Sequence, residues 1–544
     1  LTTTTHPPAV KQNTASAAKQ RKTYRQYLAG AVLLLVALVA GWMTWGGLQN
    51  WRDRRALEQY LTELDQRDPG WRVRVYGKPI TESQLTDHQQ WEELRKLHQA
   101  NINGWFPYRQ GLYGGMYQDP AKPAVLLSAE QQEFMEAAHL FWQPVLTKVN
   151  EVGGLPAQHC YVDLNERYEK RIQQAGGMYH SDRYVFNEGI KVEVLYQLNK
   201  NNPASAVRWI CMGKEPTIDQ LYATPFLIER LLNLSQPTIP QLERLQQLLT
   251  KQMESLDHHF LYEVGDQLRM MDKLMEELSQ ADLPRRELDN LGEQLGFIQR
   301  NSSWKSLSWL DKPREWYLTF QIRHLFRRPY WLSLKLHQLA DRITELALLE
   351  PKQQWTTWLA FAQENQLPFR DWRNDQSRKF TETPSMPKAL FLLRGRYLHD
   401  MMVHQFNGKA QLTSALAAIL AERYRLEQGR FPKEWSELCP RYLATPLLDP
   451  FTGLPLILKQ TDSGIVIYSV GRERKDEGGE VLNHDHYWLY GGKGWDLKNS
   501  NVGTRVYLPT LRRQPATELK EDCRSLLQQN TPELWKKLKE KPAE

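Results

Sequence analysis

The sequence predicts a mainly α-helical protein with an N-terminal transmembrane helix, an irregular helical bundle or solenoid, and a small C-terminal α+β module. Three observations predict it. Residues 27–48 form an uncharged apolar run. From about residue 217 to 428, apolar side chains recur at three- and four-residue spacings, broken by prolines. After Gly429 the texture changes to turn signals and short apolar runs.

The first element is YLAGAVLLLVALVAGWMTWGGL, 22 residues from Tyr27 to Leu48. A spanning helix needs about 20 apolar residues. A water-exposed helix would need a polar stripe, and this run has none. Trp42, Trp45 and Trp51 gather at its C-terminal end, where aromatic rings favour the headgroup level. A cleaved signal would have an apolar region of roughly 7–15 residues and a small-residue cleavage site. This run is longer and ends in Trp-rich sequence, which favours an uncleaved anchor. Lys11, Lys19, Arg21, Lys22 and Arg25 precede the run with no acidic residue among them, whereas Arg52, Arg54 and Arg55 follow it diluted by Asp53 and Glu58. That excess sets the N-terminus in the cytoplasm and the bulk of the chain on the periplasmic, extracytoplasmic side. The Thr-, Ala- and Lys-rich residues 1–26 are expected to be a disordered cytoplasmic tail.

Residues 49–127 read as stalk and linker. Leu57, Tyr60, Leu61 and Leu64 continue a helical period until Asp68-Pro69-Gly70 ends it. Residues 88–99 read as a surface helix, and 104–123 as a loop. A mixed α/β segment is expected over 128–216. Ser128 and Gln131 have capping-box spacing, and Phe134, Ala138, Phe141 and Val145 share the face of the helix that follows. Pro144 is expected to kink that helix or end it early. The stretches 161–168, around Tyr184 and 192–198 permit short strands, with helix also open for the last.

The helical array over 217–407 is marked by Ile228, Leu231 and Leu232, then Leu242, Leu245, Leu248 and Leu249, with breaks such as Pro237, Pro240, Pro329 and Pro351. No fixed repeat period is evident. An α+β module follows over 408–510. Its helix runs through Leu416, Leu420 and Tyr424 to Gly429, a suitable C-terminal cap, and Pro432 forbids continuation. Asp449-Pro450, Thr452-Gly453 and Asp462-Ser463-Gly464 are turns around the strand signals LPLILK and GIVIYSV. Residues 511–544 return to helix.

Composition excludes several functions. The charge of +7 comes from 70 Lys and Arg interspersed with 63 Asp and Glu, so no basic stripe points to nucleic acid. The 19 tryptophans point to well-filled cores or broad flat contacts. Cys160, Cys211, Cys439 and Cys523 form no CxxC pair. They read as small buried hydrophobes, with a Cys160–Cys211 disulfide open to an exported chain. No GxSxG elbow, Walker loop or GxGxxG fingerprint is present. His484 and His486 would share a face of a strand, yet a metal needs three or four converging ligands. The aromatic stretches 105–118 and 487–495 read as loops over a core, with stacking on sugars or peptides as the other reading.

Within 413–480, Tyr424 and Gly429-Arg430-Phe431-Pro432 are followed by Asp449-Pro450-Phe451-Thr452-Gly453-Leu454-Pro455, and then by Tyr468, Ser469, Gly471, Gly478 and Gly479. This order resembles the C-terminal domain of type II secretion major pseudopilins, with one extra residue in the Asp-Pro turn. The stretch is about 70 of 544 residues. The whole chain, with LTELDQRDPGWR at 61–72, also resembles a group of planctomycete-type membrane-anchored proteins that lends no chemistry. The pseudopilin resemblance implies a calcium loop, for which Glu473, Asp476, Glu480 and Asp485 are the candidate ligands. Glu473 stands where the family has Asp, Arg474 where it has Gly, and Arg472 and Lys475 bring cations that oppose a bound Ca²⁺. About 360 residues separate Leu48 from the module's helix, and no prepilin-type start precedes the apolar run, so pilus assembly is not implied.

The expected function is a single-pass, membrane-anchored extracytoplasmic scaffold or interaction protein, part of a cell-envelope or secretion-related assembly. Its expected partners are the lipid bilayer, through 27–48, and envelope proteins. The competing reading is an anchored envelope hydrolase acting on glycans or peptides. A third is calcium sensing through 469–485. No other cofactor is implied.

Overall fold

The computed structural model describes residues 14–68, 90, 93–94, 96–97, 126–153, 179–212, 218–254, 256, 329–347, 349, 351–364, 396–481 and 501–514, some of them by backbone alone. Of these, 67% are helical, which fixes the class as mainly α, and a small three-stranded sheet completes it. The chain divides into two compact units.

The first unit holds α1, Thr14–Arg67, one uninterrupted helix of 54 residues. At 1.5 Å per residue it is about 80 Å long. It carries the apolar run and the stalk as a single element and ends where expected, with the Asp68 N–H donating to the Leu64 carbonyl at 2.9 Å. The expected tail is corrected over 14–26, which is helix. Ala, Lys, Gln and Arg are strong helix formers, and they extend a helix already nucleated by the residues that follow. Leu33, Leu34, Val36, Trp45, Leu48 and Trp51 are exposed, between 43% and 69%. Among the described residues no helix is long and apolar enough to cross a membrane. The side chains of 31, 32, 35, 38–40, 42 and 43 lie outside that description.

The second unit is built from α2 (Ala129–Glu151), α3 (Tyr179–Asn199), α4 (Pro203–Ile210), α5 (Ile218–Leu234) and α6 (239–254), followed by the end of α7 (Pro329–Ala347), α8 (Pro351–Glu364) and α9 (Arg396–Gln428). The sheet comprises β1 (Ile457–Thr461), β2 (Gly464–Ser469) and β3 (Val502–Tyr507). The capping box is present: Gln131 N–H donates to Ser128 Oγ at 3.3 Å, and Ser128 N–H to Gln131 Oε1 at 2.9 Å. Prolines open α4, α7 and α8, where the missing N–H is unneeded. Pro144 does not end α2, which continues to Glu151. Leu140, whose carbonyl loses its partner, is 68% exposed, so water satisfies it. Helix replaces strand around Tyr184, and 192–198 takes the helical of its two alternatives, both within α3. The stretches 104–123, 161–168 and 515–544 lie outside the described residues.

The strands pair antiparallel in the order β1-β2-β3, with Thr461 opposite Gly464 across a two-residue turn and Ile467 opposite Thr504. All of β2 is buried. α9 lies on β2 and β3, and α5 lies on β3, α9 and α3. One core therefore runs from Trp142 and Val194 through Leu231, Leu242 and Ile419 to Ile467 and Val506. The exposed edge of β3 is closed by a side chain. Asn233 donates from Nδ2 to the Arg505 carbonyl at 2.8 Å and accepts the Tyr507 N–H at 3.0 Å. Its amide substitutes for a fourth strand and blunts the edge. Three aromatic side chains form a second packed group: the fully buried Trp355 of α8, with Phe406 and Phe451, whose rings lie 4.9 Å from it.

Candidate functional site

Within 424–480, Asp449 ties the Asp-Pro turn to the end of β2. Its carboxylate, 3% exposed, accepts the Phe451 N–H at 2.8 Å, the Ser469 hydroxyl at 2.7 Å and the Val470 N–H at 3.0 Å. Its carbonyl accepts the Gly453 N–H at 2.7 Å, closing the turn. Ser469 Oγ in turn accepts the Gly471 N–H at 3.0 Å. The Asp-Pro turn and the end of β2 are thus one hydrogen-bonded unit. A carboxylate with such donors is a strong local organiser.

Beyond it, residues 471–480 form a loop with positive φ at Gly471, Arg474, Gly478 and Gly479. Asp476 Oδ1 accepts from the Tyr468 hydroxyl at 2.9 Å and the Gly478 N–H at 2.8 Å. Burial, reinforced by Asp476, pushes the Tyr468 phenol well above its ordinary value. The loop is held from beneath by Asn501, 1% exposed. Its Oδ1 accepts the Glu477 and Gly479 N–H groups, both at 3.2 Å, and its Nδ2 donates to the Lys475 carbonyl at 3.1 Å.

The expected calcium ligands are not brought together. Glu473 pairs with Arg472 at 3.1 Å, Asp476 is committed to Tyr468 and Gly478, and the Glu480 side chain is exposed. Asp485 lies outside the described residues, as do His484, His486 and 487–495. Among the described residues no group of three His, Cys, Asp or Glu side chains converges. The loop presents charge on a fixed backbone, with Lys475–Glu477 at 2.7 Å beside Arg472–Glu473. Asn501→Ala is expected to cost on the order of 1–3 kcal/mol, because it strands two loop N–H groups. Thermal melting with and without millimolar calcium checks both points. A melting temperature raised by calcium in the wild-type chain would instead establish an ion site that includes 482–500.

Two further clusters were not legible in the sequence. The Glu422 carboxylate, fully buried on α9, accepts both Arg512 guanidinium N–H groups at 2.7 Å and two from Arg425 at 2.8 Å. Burial alone would raise its pKa, yet the hydrogen bonds from Arg425 and Arg512 hold it below the usual carboxylate range. Between α2 and α3, His139 Nδ1 meets Glu193 Oε2 at 2.6 Å, its ring stacks on Tyr196 at 4.0 Å, and Gln143 Nε2 lies 2.8 Å from its Nε2. Both imidazole nitrogens are therefore engaged, and the cluster locks the two helices.

Among the described residues Cys211 and Cys439 are free thiols, and Cys160, the other half of the expected pair, lies outside them. Cys211 packs half-buried against the core, and burial pushes its thiol up to about 11, so it behaves as a small apolar side chain.

Compared with protein-family models, curated proteins and solved structures, the chain matches none of them.

Proposed function

We propose that the protein is a single-pass, membrane-anchored scaffold of the cell envelope, held by residues 27–48, with its N-terminus in the cytoplasm and its bulk outside. The observation that carries this reading is α1. Six large apolar side chains from Leu33 to Trp51 stand exposed on a helix that continues unbroken into the stalk. Water is a costly neighbour for such a surface, and bilayer hydrocarbon removes the cost. The scaffold part of the reading draws on the charged loop at 471–480 and on the predominance of helix in the chain. In this reading 408–510 is a pseudopilin-like module, with the helix α9 laid on its sheet, set at the end of an irregular helical bundle. It serves as an interaction platform within an envelope or secretion-related assembly.

In cells making the full chain, the protein is expected to resist alkaline carbonate extraction and to lose its bulk to protease added outside intact spheroplasts. Deleting 27–48 should release it from the membrane. Carbonate-soluble protein would end the anchor reading, and a protease-protected C-terminus would end the orientation. Crosslinking followed by detergent pull-down that recovers no envelope protein would end the scaffold.

A further inference from the structure

We propose that a collar at the C-terminal end of the apolar run, formed by Trp51, Arg52, Arg54 and Arg55 of α1 with Tyr330 of α7, binds the phosphates of anionic phospholipid headgroups. The proposal rests on the anchor reading and adds a lipid class and the residues that select it.

The collar is an arrangement of two elements of the first unit. Leu48, Trp51 and Arg55 are spaced three and four apart, so they share one face of α1, and so do Trp45, Leu48 and Arg52. Each face therefore passes from apolar through aromatic or apolar to cationic within two turns. The Arg55 guanidinium lies 4.1 Å from the centre of the Trp51 ring, and the Arg54 guanidinium lies 5.8 Å from that of Tyr330. A guanidinium stacked on a ring keeps its N–H edge free to meet two phosphate oxygens. Arg54 also pairs with Glu58 at 2.8 Å, but that pair is 60% and 59% exposed, and such pairs exchange readily. Arg52 and Arg55 are exposed, while Asp53 is buried. The surface offered outward is thus cationic, at the level where exposed Trp45 and Trp51 place the headgroups. Three exposed guanidiniums within four residues of one helix suit a sheet of lipid phosphates better than a single dissolved ion.

The test uses the full chain reconstituted in phosphatidylcholine vesicles containing about one part in four of phosphatidylglycerol. After flotation and extraction in mild detergent, the lipids retained by the protein are quantified by mass spectrometry. The wild-type chain should retain phosphatidylglycerol above its bulk proportion. R52Q/R55Q should lose that enrichment and retain phosphatidylglycerol at about its bulk proportion, at an unchanged melting temperature. Retention at the bulk proportion, an unchanged R52Q/R55Q, or displacement by tens of millimolar inorganic phosphate overturns the collar while the anchor stands. A chain that fails to float with the vesicles overturns the anchor itself.

Discussion

Replacing Glu422 by alanine is expected to destabilise the second unit by about 3–5 kcal/mol, because it leaves a buried guanidinium with no counter-charge. The Glu422 side chain is fully buried, that of Arg512 is 2% exposed and that of Arg425 is 12% exposed. Arg512 also donates from Nε to the Tyr507 carbonyl at 2.8 Å, so the pair fastens the end of β3 to α9. Denaturant unfolding of E422A measures the loss. E422L/R512M should recover most of it, since a buried pair replaced by apolar groups of similar volume is often neutral. Equal losses in E422A and the double variant would show that packing, not charge, holds this joint. The pH dependence has a defined sign. The folded-state pKa of Glu422 is depressed, so its stabilisation is complete above the unfolded carboxylate pKa and is lost as pH falls through the lower folded value. E422Q should lack that acid-side loss.

The helices were legible wherever one face was wet. Leu242, Leu245 and Leu249 are fully buried, as their spacing requires, and the Gly429 N–H closes α9 by donating to the Arg425 carbonyl at 2.8 Å, as a C-terminal cap does. α3 was ambiguous for a physical reason. Residues 189–195 are all buried, so no polar stripe betrays the helical period. The hairpin at Asp462-Ser463 was visible because turn chemistry is local. β3 escaped notice although Val502, Thr504 and Val506 alternate inward, because its partner β2 ends at Ser469, far back in the sequence. The joints that position the candidate site could not be read at all. Asn233 meets β3 across 272 and 274 residues, and Glu422 meets Arg512 across 90. Such pairs exist only once the topology has brought them together. The calcium ligands were no easier to place from sequence. A row of carboxylates in sequence says nothing about which way each points, and Asn501, which holds the loop backbone through three hydrogen bonds, lies more than 20 residues further along.

Gly464→Ala should be the most damaging single-methyl change in the sheet. A Cβ at Gly464 would lie 2.0 Å from the Val506 carbonyl oxygen and 2.9 Å from the Tyr507 Cα, and its φ of +153° is one that L side chains rarely adopt. Both obstacles are backbone, so no rotamer change relieves them. β3 cannot retreat either. Its far edge is clamped by Asn233, and the Leu508 N–H donates to the Ser463 carbonyl at 2.8 Å in the same turn. The expected cost is on the order of 3–5 kcal/mol, at the upper end for one substitution. Gly429→Ala supplies the comparison. Gly429 has φ +75° but nothing within 4 Å of a built Cβ, so it should lose only the roughly 1–2 kcal/mol of left-handed strain. Denaturation midpoints for the two variants separate clash from strain, and hydrogen exchange over 502–507 shows whether β3 has detached. A G464A midpoint within error of G429A would mean that β3 can shift. The clamp from α5 would then be weaker than its two hydrogen bonds imply, and the loop that Asn501 holds beside β3 would lose its claim to be a fixed display.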